Sequence, residues 1–161
     1  MPSHSLFNVV LVEPEIPQNT GNIGRSCVAL GACLHLVKPL GFAIEDRQLK
    51  RAGLDYWPHL DWRTHENLQT WQGQLELPER AFYFSTHATR EFDQVRFQPG
   101  DSFVFGKETK GLPKDLISRN ESQALTIPMS GPVRSLNLAT AVAIVLFEAA
   151  RQIRTQSLPQ R

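Results

Sequence analysis

The chain has almost no cysteine, almost no net charge and no long apolar run. Its 161 residues include two cysteines, Cys27 and Cys33. They stand six apart, which is the spacing neither of a zinc half-site nor of a redox pair, and on a helix they point to different sides. Free thiols of a reducing cytosol are expected. Seventeen basic residues face sixteen acidic ones, a formal net charge of +1. The whole chain therefore offers no electrostatic footprint for nucleic acid or an anionic membrane, and any such contact has to come from a local patch. The longest apolar run, 139–147, is about half a membrane span, and no basic start followed by an apolar stretch opens the chain. A cytoplasmic protein with no membrane partner is expected.

Two nucleotide-binding patterns are missing as well. In FGKETKGLP (105–113) the spacing of Gly106 and Gly111 imitates a phosphate loop. That loop needs Lys and then Ser or Thr after its second glycine, and here Leu112 and Pro113 follow. The glycines that follow the first strand do not form G-x-G-x-x-G, and no acidic residue stands about 20 positions on in the expected place, which argues against a dinucleotide fold.

What is there alternates. Residues 6–12 (LFNVVLV) read as a buried strand, 20–30 as a helix stopped by Gly31, and 34–37 as a second strand. Asp46 caps a short basic helix (46–54), and a weaker helical pattern runs over 66–72. Strands are expected at 81–86, 102–105 and 124–128, a helix opened by Pro113 between the last two, and a long helix over 135–155. This is one α/β domain over residues 1–161, with a mainly parallel sheet of about five or six strands and helices on both faces. Forty-one per cent hydrophobic residues in one chain of this length suffice to bury roughly 70% of the unfolded surface.

Ligands of such sheets bind outside the carboxyl ends of the strands. Three loops there carry the chemistry: PQNTGNIGR (17–25), FGKETKGLP (105–113) and IPMSGPVRSLN (127–137). Singly, each has an ordinary explanation, with Gly21 and Gly24 relaxing a helix start, Gly106 and Gly111 turning the chain, and Ser135 capping the last helix. Together they describe a pocket. Glycines bring bare backbone against a ligand and can read an adenine edge, and a helix start suits a carboxylate. Adenine at one end and an amino-acid carboxylate at the other describe S-adenosylmethionine.

The set N-x-G-x-x-x-R (Asn19, Gly21, Arg25), F-G-x-E-x-x-G-L-P (105–113) and I-P-M followed by R-S-L-N (127–137) resembles the three signature motifs of the SPOUT superfamily of RNA methyltransferases. EPEIPQNTGNIGR, KPLGF and RAGLDYW are similar, more narrowly, to the TrmL branch. The resemblance runs from about Phe7 to Arg154. It implies a deep trefoil knot in the C-terminal part, against the general rule that chains do not thread themselves. It further implies a homodimer, S-adenosylmethionine as cofactor, and methylation of the ribose 2'-hydroxyl at the wobble nucleotide, position 34, cytidine or modified uridine, in the anticodon arm of tRNA. Ribosomal RNA as substrate and a non-catalytic RNA-binding module are the alternatives. The small size favours tRNA, and Arg25 with Asn137 favours an enzyme.

By the same resemblance Phe84, Gly106, Ile127 and Ser135 contact the cofactor, mostly through backbone. Arg25 stands at the hydroxyl, where a guanidinium that hardly deprotonates stabilises the developing alkoxide and clamps a phosphate rather than abstracting a proton. Asn19, Glu108, Ser135 and Asn137 match polar motif positions and orient Arg25, ribose and loops, although Glu108 can equally tie down the lysines beside it. The sulfonium is already activated, so no metal is required. Lys107, Lys110, Lys114 and Arg134 place positive charge on the same loops. Lys107 departs from the related sequences, which often carry Pro there. A second basic stretch, Arg47, Lys50 and Arg51, adjoins Tyr56 and Trp57, which either stack on a base or pack in the core.

Overall fold

The computed structural model describes residues 5–45, 47, 49, 51 and 55–156. Asp46, Lys50 and most of the short basic helix expected after Asp46 lie outside the described residues. Six strands form one sheet: β1 (Asn8–Val12), β2 (Cys33–Val37), β3 (Trp62–His65), β4 (Ala81–Phe84), β5 (Ser102–Phe105) and β6 (Ala124–Leu125). Their order is β3-β2-β1-β5-β4-β6 and every pairing is parallel. Among the described residues, the α-helices with both ends given are α1 (Pro17–Leu30), α2 (Leu68–Gln72), α3 (Lys114–Arg119) and α4 (Leu138–Gln156). None of them is long and apolar enough to cross a membrane.

Side-chain alternation along buried strands sorts two cores onto the two faces. Val9 and Leu11 of β1 join Leu34, Leu36, Phe82 and Phe103 beneath α1 and α4, which contribute Ile23, Cys27, Val142, Val145, Leu146 and Ala149. Val10 and Val12 face the other way, with Val37, Tyr83 and Val104, under Trp71 of α2 and Leu116 of α3. Both cysteines are free and buried. Burial pushes the Cys33 thiol up to about 12 and the Cys27 thiol up as well.

Several boundaries differ from the sequence expectation, each for a local reason. Helix α1 begins at Pro17, three residues earlier than expected, because proline at the first helical position loses no hydrogen bond there. Asn19 thus joins Gly21 and Arg25, which already fall in the expected helix, on α1. The helix ends as expected at Gly31, with φ of 67°, where the Ala32 N–H donates to the Cys27 carbonyl at 2.8 Å. β3 was not expected at all. It is an edge strand whose two central residues are exposed, so WRTH lacks the apolar run of its neighbours. β6 is only two residues long, and its neighbour Thr126 pairs singly with Glu91.

β1 leads outward to β2 and β3, whereas β5, β4 and β6 lie on its other side. The strand order therefore reverses between β1 and β5, and their carboxyl ends open a crevice. The loops after β1, β5 and β6 all emerge there.

Candidate active site at the carboxyl ends of β1, β5 and β6

The loop after β5 is a tight turn. The Gly111 N–H donates to the Lys107 carbonyl at 2.8 Å, and Gly111 takes a φ of 67° that favours glycine. Two residues of this turn lock onto the start of α1. The Glu108 carboxylate accepts from the Glu15 N–H at 2.7 Å, the Ile16 N–H at 3.1 Å and Asn19 Nδ2 at 3.3 Å. Helix α1 has no side-chain cap of its own, so a negative group from a segment about 90 positions away sits at its positive end. The link is returned: Thr109 donates from its N–H, at 2.9 Å, and its hydroxyl, at 2.7 Å, to Glu15 Oε1. Those bonds, with Lys107 and Lys110 nearby, hold the Glu15 carboxyl below its ordinary range. Glu108 serves the loop junction, and none of its hydrogen bonds goes to the lysines beside it.

The third loop joins through two asparagines. Asn19 is 6% exposed, and its Oδ1 accepts from Asn137 Nδ2 at 3.1 Å. Asn137 Oδ1 in turn accepts from the Ala139 N–H at 2.9 Å and the Thr140 N–H at 3.3 Å. Asn137, not Ser135, therefore caps the last helix, which begins at Leu138; Ser135 is exposed in the preceding loop. A chain of hydrogen bonds from Glu108 through Asn19 to Asn137 connects all three loops.

Gly106 stands where the turn itself needs glycine. A Cβ there would lie 2.0 Å from the Gly111 carbonyl carbon and 2.2 Å from Leu112 N. The glycine lets the turn close on itself. The Phe84 ring is stacked on Phe105 at 4.8 Å, and the residue is 7% exposed at the end of β4. Ile127 is partly buried against the same core. Among the described residues, the segment 127–136 makes no backbone-to-backbone hydrogen bond. Its N–H and C=O groups are thus outside the backbone ladder.

Arg25 is not joined to this network. It lies about 9 Å further along α1 than Asn19 and on another side of the helix. Its exposed guanidinium packs over the Tyr56 ring at 5.3 Å. Tyr56 is 7% exposed and donates its hydroxyl to the Gly21 carbonyl; Trp57 touches Gly24 and Trp62. The aromatic pair thus packs against α1. Of the loop cations, Lys107 lies 3.7 Å from the Glu13 carboxylate, whereas Lys110, Lys114 and Arg134 are exposed. Glu15 and Thr109 were not singled out in the sequence, although both stand inside quoted motif stretches; an acidic residue just ahead of a helix start was the available signal.

Residues 6–147 match the SpoU rRNA Methylase family. The chain is 48% identical over 150 residues to a tRNA (cytidine(34)-2'-O)-methyltransferase of Burkholderia ambifaria, covering 91% of this chain and 96% of that one. A solved structure described as giving insight into 2'-OH methylation of C/U34 on tRNA superposes with a TM-score of 0.89 at 47% identity, over 92% of this chain and 97% of that one. The SpoU methyltransferase AviRb of Streptomyces viridochromogenes, in complex with the cofactor AdoMet, superposes with a TM-score of 0.82 at 26% identity, over 96% of this chain and 60% of that one.

Proposed function

The chain belongs to the SpoU rRNA Methylase family, and from that membership we infer that it is a tRNA 2'-O-methyltransferase acting on the ribose of nucleotide 34, cytidine or uridine. The observation that carries the reading is the Glu108–Asn19–Asn137 junction, which gathers three motif loops at one crevice in a chain that matches relatives of that activity nearly end to end. S-adenosylmethionine, when bound, supplies a sulfonium methyl group already activated for displacement by the 2'-oxygen.

The backbone of 127–136, the turn at Gly106 and the peptide at Phe84 would hold the donor. Ser135, exposed in the same loop, offers a hydroxyl to its carboxylate end. The Glu108 junction keeps the loops from parting, which fixes the distance over which the methyl group travels. Arg25 donates hydrogen bonds to the oxygen as negative charge develops, and to a neighbouring phosphate. It stays protonated, and the hydroxyl proton passes to water. Lys110, Lys114 and Arg134 attract the RNA backbone.

A homodimer and a trefoil knot complete the reading. Ile144 and Phe147 are 37% and 50% exposed, one turn apart on α4, an apolar face that a second copy covers. The chain leaves β6 at the sheet edge and reaches Asn19 on α1 through Asn137, which supports a threaded path.

Incubation with unmodified tRNA, ribosomal RNA and labelled S-adenosylmethionine, followed by mapping of the product, tests the function. Label at the ribose of nucleotide 34, lost in Arg25→Ala, is expected. Label in ribosomal RNA alone, or binding without transfer, overturns the reading.

A further inference from the structure

An open groove of about 510 Å3 lies at the carboxyl ends of β2 and β3, beside the site rather than in it. Leu40, Phe42 and Ile44 give it apolar walls, and Lys38, Glu45 and Glu66 its polar edge. None of these residues takes part in the junction of Glu15, Asn19, Glu108 and Asn137. The groove nevertheless abuts it. Gly41, between two wall residues, donates its N–H to the Pro14 carbonyl at 2.9 Å, and a Cβ on it would meet the Glu15 Cα at 2.8 Å. Glu15 is the residue that holds Thr109. The groove and the methyl-transfer crevice thus share one wall of backbone.

Its chemistry excludes a phosphate, because Glu45 and Glu66 would repel it. It suits a nucleobase. Phe42 is half-buried and offers a ring for stacking. Lys38 Nζ, 3.2 Å from Glu66 Oε1 at the exposed rim, retains donors for a ring nitrogen or carbonyl oxygen. Glu45 and the second oxygen of Glu66 accept from an exocyclic amine, as carboxylates do at base edges. When nucleotide 34 enters the crevice its stacking with the bases on either side is broken, and a base that loses a stacking partner gains from a new surface.

We propose that this groove receives the base next to the target nucleotide, 33 or 35, and so takes part in choosing the tRNA. The proposal rests on the tRNA reading above. Its test is the kinetics of wild type, Phe42→Ala and Glu66→Gln on tRNA transcripts that are intact or abasic at 33 or at 35, with S-adenosylmethionine affinity measured by calorimetry. Phe42→Ala is expected to raise the KM for tRNA about tenfold, the scale of one lost base–aromatic stack, with cofactor affinity retained. An abasic site at one of the two positions should cost wild type a similar factor and add nothing in Phe42→Ala. Glu66→Gln should raise KM for the intact tRNA and lose its effect on the same abasic transcript. Unchanged KM in both variants, or losses that simply add, overturns the proposal. If wild type transfers no methyl group to nucleotide 34, the functional reading fails first and this one with it.

Discussion

The hydroxyl of Thr20 is fully buried in α1 and has no hydrogen-bond partner among the described residues. An unpaired buried hydroxyl costs free energy that an isosteric methyl does not. Thr20→Val is therefore expected to stabilise the protein by about 1 kcal/mol, read as a shifted denaturation midpoint at constant slope; a destabilised variant would contradict this. A second residue-scale device lies in the sheet. Asn8 Nδ2 donates to the Gly100 carbonyl at 3.3 Å, which turns its Oδ1 toward His35 Nε2 at 3.0 Å. His35 then carries its proton on Nε2, and its Nδ1 accepts from His65 Nε2 at 2.9 Å. Burial, then His65 and Arg63, lower the His35 pKa to about 4, with Asp61 opposing; burial and Arg63 lower that of His65 too. Unfolded histidines titrate near 6.5. Below that pH the unfolded chain binds protons that the folded chain refuses, so stability is complete above about 6.5 and falls as pH drops toward 4. The loss attributable to His35 should approach about 3 kcal/mol at the acid end. Denaturation at pH 7 and pH 4.5 checks it: His35→Gln should have a shallower pH dependence than wild type, and equal slopes would refute the account.

At the scale of elements, the loop after β5 decides the site because it has to fold tightly and then grip α1. Gly106→Ala puts a Cβ into the backbone of Gly111 and Leu112, and neither can yield by a side-chain rotation. The expected cost is about 2–3 kcal/mol, with S-adenosylmethionine binding lost in calorimetry on whatever remains folded. Unaltered melting temperature and affinity would show that the turn tolerates a wider path. The same loop sits opposite Glu13, the one non-glycine residue among those described with a positive φ, 53°, at the end of β1. Strained backbone at a strand end beside a ligand crevice is where such conformations gather.

The whole molecule has to hold a polyanion with almost no net charge. Its exposed Lys110, Lys114 and Arg134 lie on the site loops, so tRNA affinity should fall steeply as salt rises from low to physiological concentration, by counterion release. Filter binding across that range would give a nearly flat line if phosphates contribute little. Arg25 stands apart from the junction within its own chain, which is the arrangement a dimer with shared sites would produce. Mixing Arg25→Ala with Glu108→Ala chains, each expected to be inactive by itself, restores up to one working site per heterodimer if Arg25 serves the partner. No recovery would place Arg25 in its own chain's site.

The sequence by itself determined the class of fold and the three loops. Apolar runs such as NVVLV and SFVF are long enough to specify buried parallel strands, and the glycine, proline and asparagine spacings around them belong to few chemistries. It did not reveal β3, whose exposed edge residues carry no apolar period, nor the earlier start of α1, where a proline reads equally as loop or first turn. Only the tertiary structure decided that Glu108 caps a helix some 90 residues away, that Asn137 rather than Ser135 starts α4, and that Gly106 is required by Gly111 and Leu112. The reason is that these are contacts between groups far apart in the chain: local pattern records which residue types are present, whereas their partners are fixed by the sheet order that brings β1 beside β5.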